Sequence, residues 1–157
     1  MDPVVVKYLH VLSSTVLFGT GIGSAFYLLV ASRTRDAHVV AVVARHVVIA
    51  DWLFTATTVV LQPVTGLYLA FKLGIPLTAP WLYWSMVLYL IAIGCWLPVV
   101  WLQIRLRDIA AEAARNGEPL PDRYAGLLGA WVAFGVPALL CFLAIFYLMV
   151  AKPAVLP

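Results

Sequence analysis

His10 and Asp51 are the two side chains whose chemistry packing explains least, because each lies inside a long apolar run. Neutral imidazole is a common axial ligand of haem iron. A carboxylate held within a membrane can serve a proton relay. Polar residues recur around both at helical steps, so each set shares one helix face. Asp51, Thr55, Thr58, Gln62 and Thr65 follow one another at steps of four, three, four and three. His10, Ser13, Ser14, Leu17, Thr20, Gly21, Ser24 and Tyr27 form a second stripe, and Ser85, Tyr89, Ala92, Trp96, Val99 and Gln103 a weaker third. Packing is the competing explanation for the hydroxyls and glycines. Ser and Thr bond their own helix carbonyls, and small residues let backbones approach, as in Gly19-Thr-Gly-Ile-Gly23. The same alternative holds for Asp51, which could pair with Arg45 or cap a neighbouring helix.

Other chemistries lack their motifs. There is no phosphate-binding glycine loop after a strand, no HExxH, no Cys/His zinc cluster and no Ser/His/Asp set. Cys95 and Cys141 sit in apolar runs and form no CxxC, as expected of small buried hydrophobes. A net charge of +3 with no basic block interleaved with aromatics argues against nucleic-acid binding.

The elements that must position these residues are membrane helices. Of 157 residues, 64% are hydrophobic and 11% charged, with a mean hydropathy of +1.02. A typical water-soluble domain is about 45–50% apolar and about 25% charged. Four apolar segments, at about 4–31, 47–71, 81–104 and 127–150, each supply the roughly 20 residues a span requires. Backbone groups in lipid must be satisfied internally, so the spans are helices. Short links between them give an all-α, four-helix up-down bundle in one domain, 1–157. The N-terminal apolar stretch has no cationic n-region or A-x-A-like site and reads as a retained span. Helix formers from Arg105 to Arg115 carry the third helix beyond the membrane. Arg33, Arg35 and Arg45 lie between spans one and two; Arg105, Arg107, Arg115 and Arg123 lie between spans three and four. The positive-inside rule makes these two loops cytoplasmic and puts both termini outside, with Trp81, Tyr83 and Trp84 at the outer interface.

Depth then sorts the polar residues. At a rise of about 1.5 Å per residue, His10 falls level with Gln62, Thr65 and Tyr89 towards the outer face. Asp51 falls level with Ser24 and Tyr27, in reach of Arg45 or Gln103, towards the cytoplasm. His38 and His46 belong to the other end from His10, so one porphyrin cannot take both His10 and His46 as axial ligands.

Lys7-Tyr-Leu-His10, Phe18-Gly-Thr-Gly-Ile-Gly23, Ala50-Asp-Trp-Leu-Phe-Thr55, Gln62-Pro-Val-Thr-Gly-Leu-Tyr-Leu-Ala70, Pro80-Trp81 and Pro98-Val-Val-Trp-Leu-Gln103 together resemble a known set of proteins. These are small bacterial four-span integral membrane proteins catalogued as a domain of unknown function. The likeness covers nearly the whole chain and implies fold and membrane location rather than activity. Through Lys7, His10, Phe18 and Gly19 the first span also resembles, more weakly, the small membrane protoporphyrinogen oxidase and copper-resistance D-type membrane domains. In the oxidase family the first-span histidine is implicated in haem binding, a role that would fall on His10. The chain departs from that family in having no second intramembrane histidine and no lysine in span three.

Three functions follow as expectations, all in the lipid bilayer of the bacterial inner membrane. The first is a redox protein associated with haem b or porphyrin, with His10 as metal ligand and Gln62, Thr65 and Tyr89 around it. The second is a small-solute or proton pathway along Asp51, Thr55, Thr58, Ser24 and Tyr27. The third is a non-catalytic subunit, as a homodimer or within a larger membrane complex.

Overall fold

The computed structural model describes residues 1–153 and consists there of four helices long and apolar enough to cross a membrane. Helix α1 spans Pro3–Thr34, α2 Ala37–Lys72, α3 Pro80–Asn116 and α4 Asp122–Ala151. Local chemistry sets the ends. The Asp2 carboxylate accepts from Val4 N–H at 2.8 Å, and Pro3 occupies the first turn, where its missing N–H costs nothing. Gly117 ends α3 in the left-handed region at φ 68°, where a glycine carries no Cβ penalty. Pro119 and Pro121 then separate it from α4.

The connection between the first two helices is far shorter than the charged stretch 32–46 suggests. Arg35 turns the chain at φ 56°, and its N–H reaches Ser32 O. The Asp36 carboxylate caps the next helix through His38 N–H and Val39 N–H at 2.8 and 3.2 Å. Helix α2 thus begins ten residues before the expected span, placing Arg45 and His46 on a helix rather than in a loop. Ala37, Val40, Ala44, Val47 and Val48 bury one side of that extension. The extension packs on α3, which also continues past the apolar segment, as the Arg105–Arg115 composition implies.

A tight apolar core lies at this arginine-rich end. Leu28 and Ala31 of α1, Val40, Ala44 and Val47 of α2, Leu102, Leu106, Ile109 and Ala110 of α3, and Tyr124 and Trp131 of α4 make it up. Towards the end that carries the termini the helices regroup. Helix α2 leaves α3 and stays with α1, while α3 and α4 form the most extensive pair. The change falls at Asp51–Thr55, where α2 takes a wide turn and Ala56 N–H bonds Asp51 O, five residues back. Such turns inside α-helices occur frequently at functional sites. Helices α1 and α4 are pinned at two heights. Phe18 meets Phe146 edge-on at 5.2 Å, and Ser32 Oγ shares a 2.8 Å hydrogen bond with Tyr124 OH. Outward-facing Phe26, Trp52, Val60, Leu90 and Leu97 are more than half exposed, the surface a bilayer covers.

Candidate functional site

The site nearer the basic end is built around the wide turn of α2. It buries Asp51 at 6% and Thr55 at 4% exposure on one face. Gln103 of α3, 3% exposed, donates from Nε2 to Asp51 Oδ2 at 2.8 Å. Gln103, not Arg45, therefore partners the carboxylate; Arg45 is exposed and borders a separate surface cavity with Arg107 and Arg115. Asp51 opens into a cavity of about 240 Å³ enclosed by all four helices. Leu17, Phe18, Ile22, Val99, Leu139 and Phe142 give it mostly apolar walls. Among the described residues, three buried polar atoms on its lining have no hydrogen-bond partner: Thr55 Oγ1, Trp96 Nε1 and Trp131 Nε1. The Thr55 and Trp96 side chains approach the carboxylate without completing hydrogen-bond geometry.

Two expected neighbours divide. Ser24 lines this cavity, its hydroxyl bonded to Gly21 O at 3.2 Å. Tyr27 does not; it is 64% exposed and stacks edge-on with Phe26 at 5.5 Å. Although the two share a helix face at three-residue spacing, only Ser24 lines the cavity.

The second cluster lies towards the termini and comes from Gln62-Pro-Val-Thr-Gly66. Thr65 Oγ1 donates its single proton to Leu61 O at 2.7 Å and lies 2.8 Å from His10 Nδ1. When that proton stays on Leu61 O, Nδ1–H donates to Thr65 and the lone pair of His10 falls on Nε2; when Thr65 donates to Nδ1 the tautomer reverses. Gln62 Nε2 bridges to His10 O at 2.8 Å and to Ser13 Oγ. Gly66 makes the approach possible, since a Cβ there would sit 3.2 Å from His10 Cε1. Tyr89 belongs elsewhere. Pro63 has no N–H to give Val59 O, four residues back, and Tyr89 OH donates to that carbonyl instead. Tyr89 thus satisfies a proline kink and joins α3 to α2, rather than facing His10.

The two clusters do not form one continuous seam. Between them, Thr58 spends its hydroxyl on Phe54 O and Thr55 O of its own helix, at 2.6 and 3.0 Å. Among the described residues no group of three His, Cys, Asp or Glu side chains could hold a metal ion. His38 and His46 are exposed at the basic end, with His46 Nδ1 bonded to Val42 O at 2.8 Å.

The family described as "Predicted integral membrane protein (DUF2269)" matches residues 4–153. The chain belongs to that family. No curated protein and no solved structure matches. Membership agrees with the four apolar helices and makes this DUF2269 protein a multi-pass membrane protein in contact with lipid. The most specific stretch of the sequence-level resemblance, Asp51-Trp through Gln62-Pro-Val-Thr-Gly66, supplies the α2 half of both clusters. Trp131, by contrast, is not singled out by any motif or spacing in the sequence. Its burial, at 5% exposure, depends on where α4 docks.

The Asp51–Gln103 contact has a direct thermodynamic consequence. Gln103→Leu strands a buried carboxylate and is expected to cost about 1–3 kcal/mol in thermal or denaturant unfolding in detergent. The Asp51→Leu/Gln103→Leu double variant is expected to be more stable than Gln103→Leu alone. Equal or additive losses would show that the pair is not coupled.

Proposed function

We propose that this protein holds a small, hydrogen-bond-accepting ligand within the membrane, in the cavity that ends on Asp51. The observation carrying this reading is the trio of buried donors Thr55 Oγ1, Trp96 Nε1 and Trp131 Nε1 in its lining, unpartnered among the described residues. Leaving such a donor unsatisfied costs about 1–3 kcal/mol, so three of them beside open volume favour an occupant that accepts from them. Asp51 adds a group that can exchange a proton with that occupant, and Gln103 fixes its orientation. A binding cavity suits this geometry better than a conduit, because Thr58 interrupts the polar face of α2. With the basic end facing the cytoplasm, as the positive-inside rule favours, the site lies in the cytoplasmic half of a bacterial inner membrane.

Native mass spectrometry of the full chain released from lipid nanodiscs tests the proposal. Wild type is expected to retain a discrete non-protein mass, and Trp131→Phe, which keeps an aromatic ring and removes one donor, to lose about three- to tenfold of that occupancy. A wild-type chain carrying no such mass, or a Trp131→Phe chain carrying it equally, would contradict the reading.

A second reading rests on the separate cluster. His10 is held by Thr65 through Nδ1, and with the proton on Nδ1 its Nε2 carries the lone pair, the arrangement common to metal-ligating histidines. His10 therefore suits one axial bond to haem b, and a bound haem would supply electron-transfer chemistry. A second axial ligand would have to come from another residue type or from His10 of a dimer mate, since His38 and His46 lie at the opposite end. A Soret band in protein purified from haem-replete cells, lost in His10→Ala, is the expected result. Absence of that band would remove the reading.

A further inference from the structure

The cavity at Asp51 has a side entrance. Helices α1 and α4 touch at Phe18–Phe146 above it and at Ser32–Tyr124 below it. The fourteen positions from Phe18 to Ser32 cover roughly 21 Å of helix at about 1.5 Å per residue. Between the two pins the lining includes the small residues Gly21, Ser24 and Ala25 on α1 and Gly135 on α4, among larger ones such as Leu29, Val132 and Leu139. Ile22 and Val136 line the same cavity yet remain 42% and 49% exposed, so they form its rim. This opening lies within the apolar length of both helices and faces the region a bilayer fills.

The lining also restricts what can occupy the cavity. Its walls suit an apolar body. Its polar end offers three unpartnered donors, two of them indole N–H groups that can only donate. The Asp51 carboxylate accepts from Gln103 and has the Thr55 and Trp96 side chains close beside it, whereas Trp131 has no such acceptor near it. An ammonium or other donor-rich head would leave both indoles unsatisfied, whereas carbonyl oxygens satisfy them. We infer that the ligand is a lipid-soluble carbonyl compound of the quinone type, entering laterally from the bilayer between α1 and α4 with its carbonyl oxygens against Trp96 Nε1, Trp131 Nε1 and Thr55 Oγ1. This assignment rests on the Asp51 cavity being a binding site and adds the ligand class and its route.

The test uses the full chain in nanodiscs, with decylubiquinone as probe and 1-decanol as a control for the tail alone. Decylubiquinone is expected to raise the unfolding temperature saturably and decanol is not. Trp96→Phe and Trp131→Phe keep an aromatic ring and remove the N–H; each is expected to weaken the apparent Kd about three- to tenfold. Gly21 and Gly135 have no atom within 4 Å of an added Cβ, so the Gly21→Leu/Gly135→Leu chain can carry side chains in the opening. It is expected to abolish probe binding while unfolding cooperatively. Equal stabilisation by decanol, unchanged affinity in both Phe variants, or unimpaired binding to the plugged chain would each overturn the inference. If wild type retains a Trp131-dependent mass that decylubiquinone does not displace, the ligand class fails while the binding site stands. If it retains no mass and no probe binds, both fail.

Discussion

A polar side chain in hydrocarbon has no solvent to return to, and an unsatisfied one costs several kcal/mol. Helix α2 places Asp51, Thr55, Thr58 and Thr65 on one buried face, with Gln62 half-buried beside them. The arrangement of the other helices follows from how these groups are satisfied. Gln103 brings α3 to Asp51, and His10 and Ser13 bring α1 to Thr65 and Gln62. Thr58 turns back on its own carbonyls. Only Thr55 is left with an unengaged hydroxyl, and it faces the cavity.

Two irregularities let one helix serve two partners. The wide turn at Asp51–Thr55 accommodates an extra residue just where α2 passes from α3 to α1. Pro63 frees the carbonyl of Val59, and the Tyr89 hydroxyl ties α3 back to α2 there. The helices are consequently close-packed at the arginine-rich end and separated above it. Leu28, Leu106 and Val40, all fully buried, form the floor on which the cavity rests. Polar lining and open volume coincide because both arise where α2 changes partners.

Much of this architecture is legible in the residues. Bilayer thickness fixes span length, so apolar runs disclose four helices, and the four-three spacing of Asp51 to Thr65 discloses a buried face. The junction at Arg35-Asp36 is not legible in the same way. A charged run looks like a loop, and only the left-handed turn at Arg35 and the Asp36 cap show it to be two residues long. Periodicity groups Tyr27 with Ser24 but cannot state how far the opposing helix extends, and Tyr27 lies outside its edge. Depth groups Tyr89 with His10. The missing N–H of Pro63 was the available signal that Tyr89 serves Val59 instead. Trp131 carries no sequence signal of its role, because its indole meets the cavity only through the docking of α4 against the other helices.

The central physical claim is that buried donors in the Asp51 cavity await a partner from outside the chain. A high-resolution density map of the full protein in a lipid nanodisc tests this most directly. The expected result is a discrete non-protein density within hydrogen-bonding distance of Trp96 Nε1, Trp131 Nε1 and Thr55 Oγ1, with Gln103 still bonded to Asp51. A collapsed cavity, with both indoles and the threonine hydroxyl bonded to Asp51 or to backbone carbonyls, would contradict it.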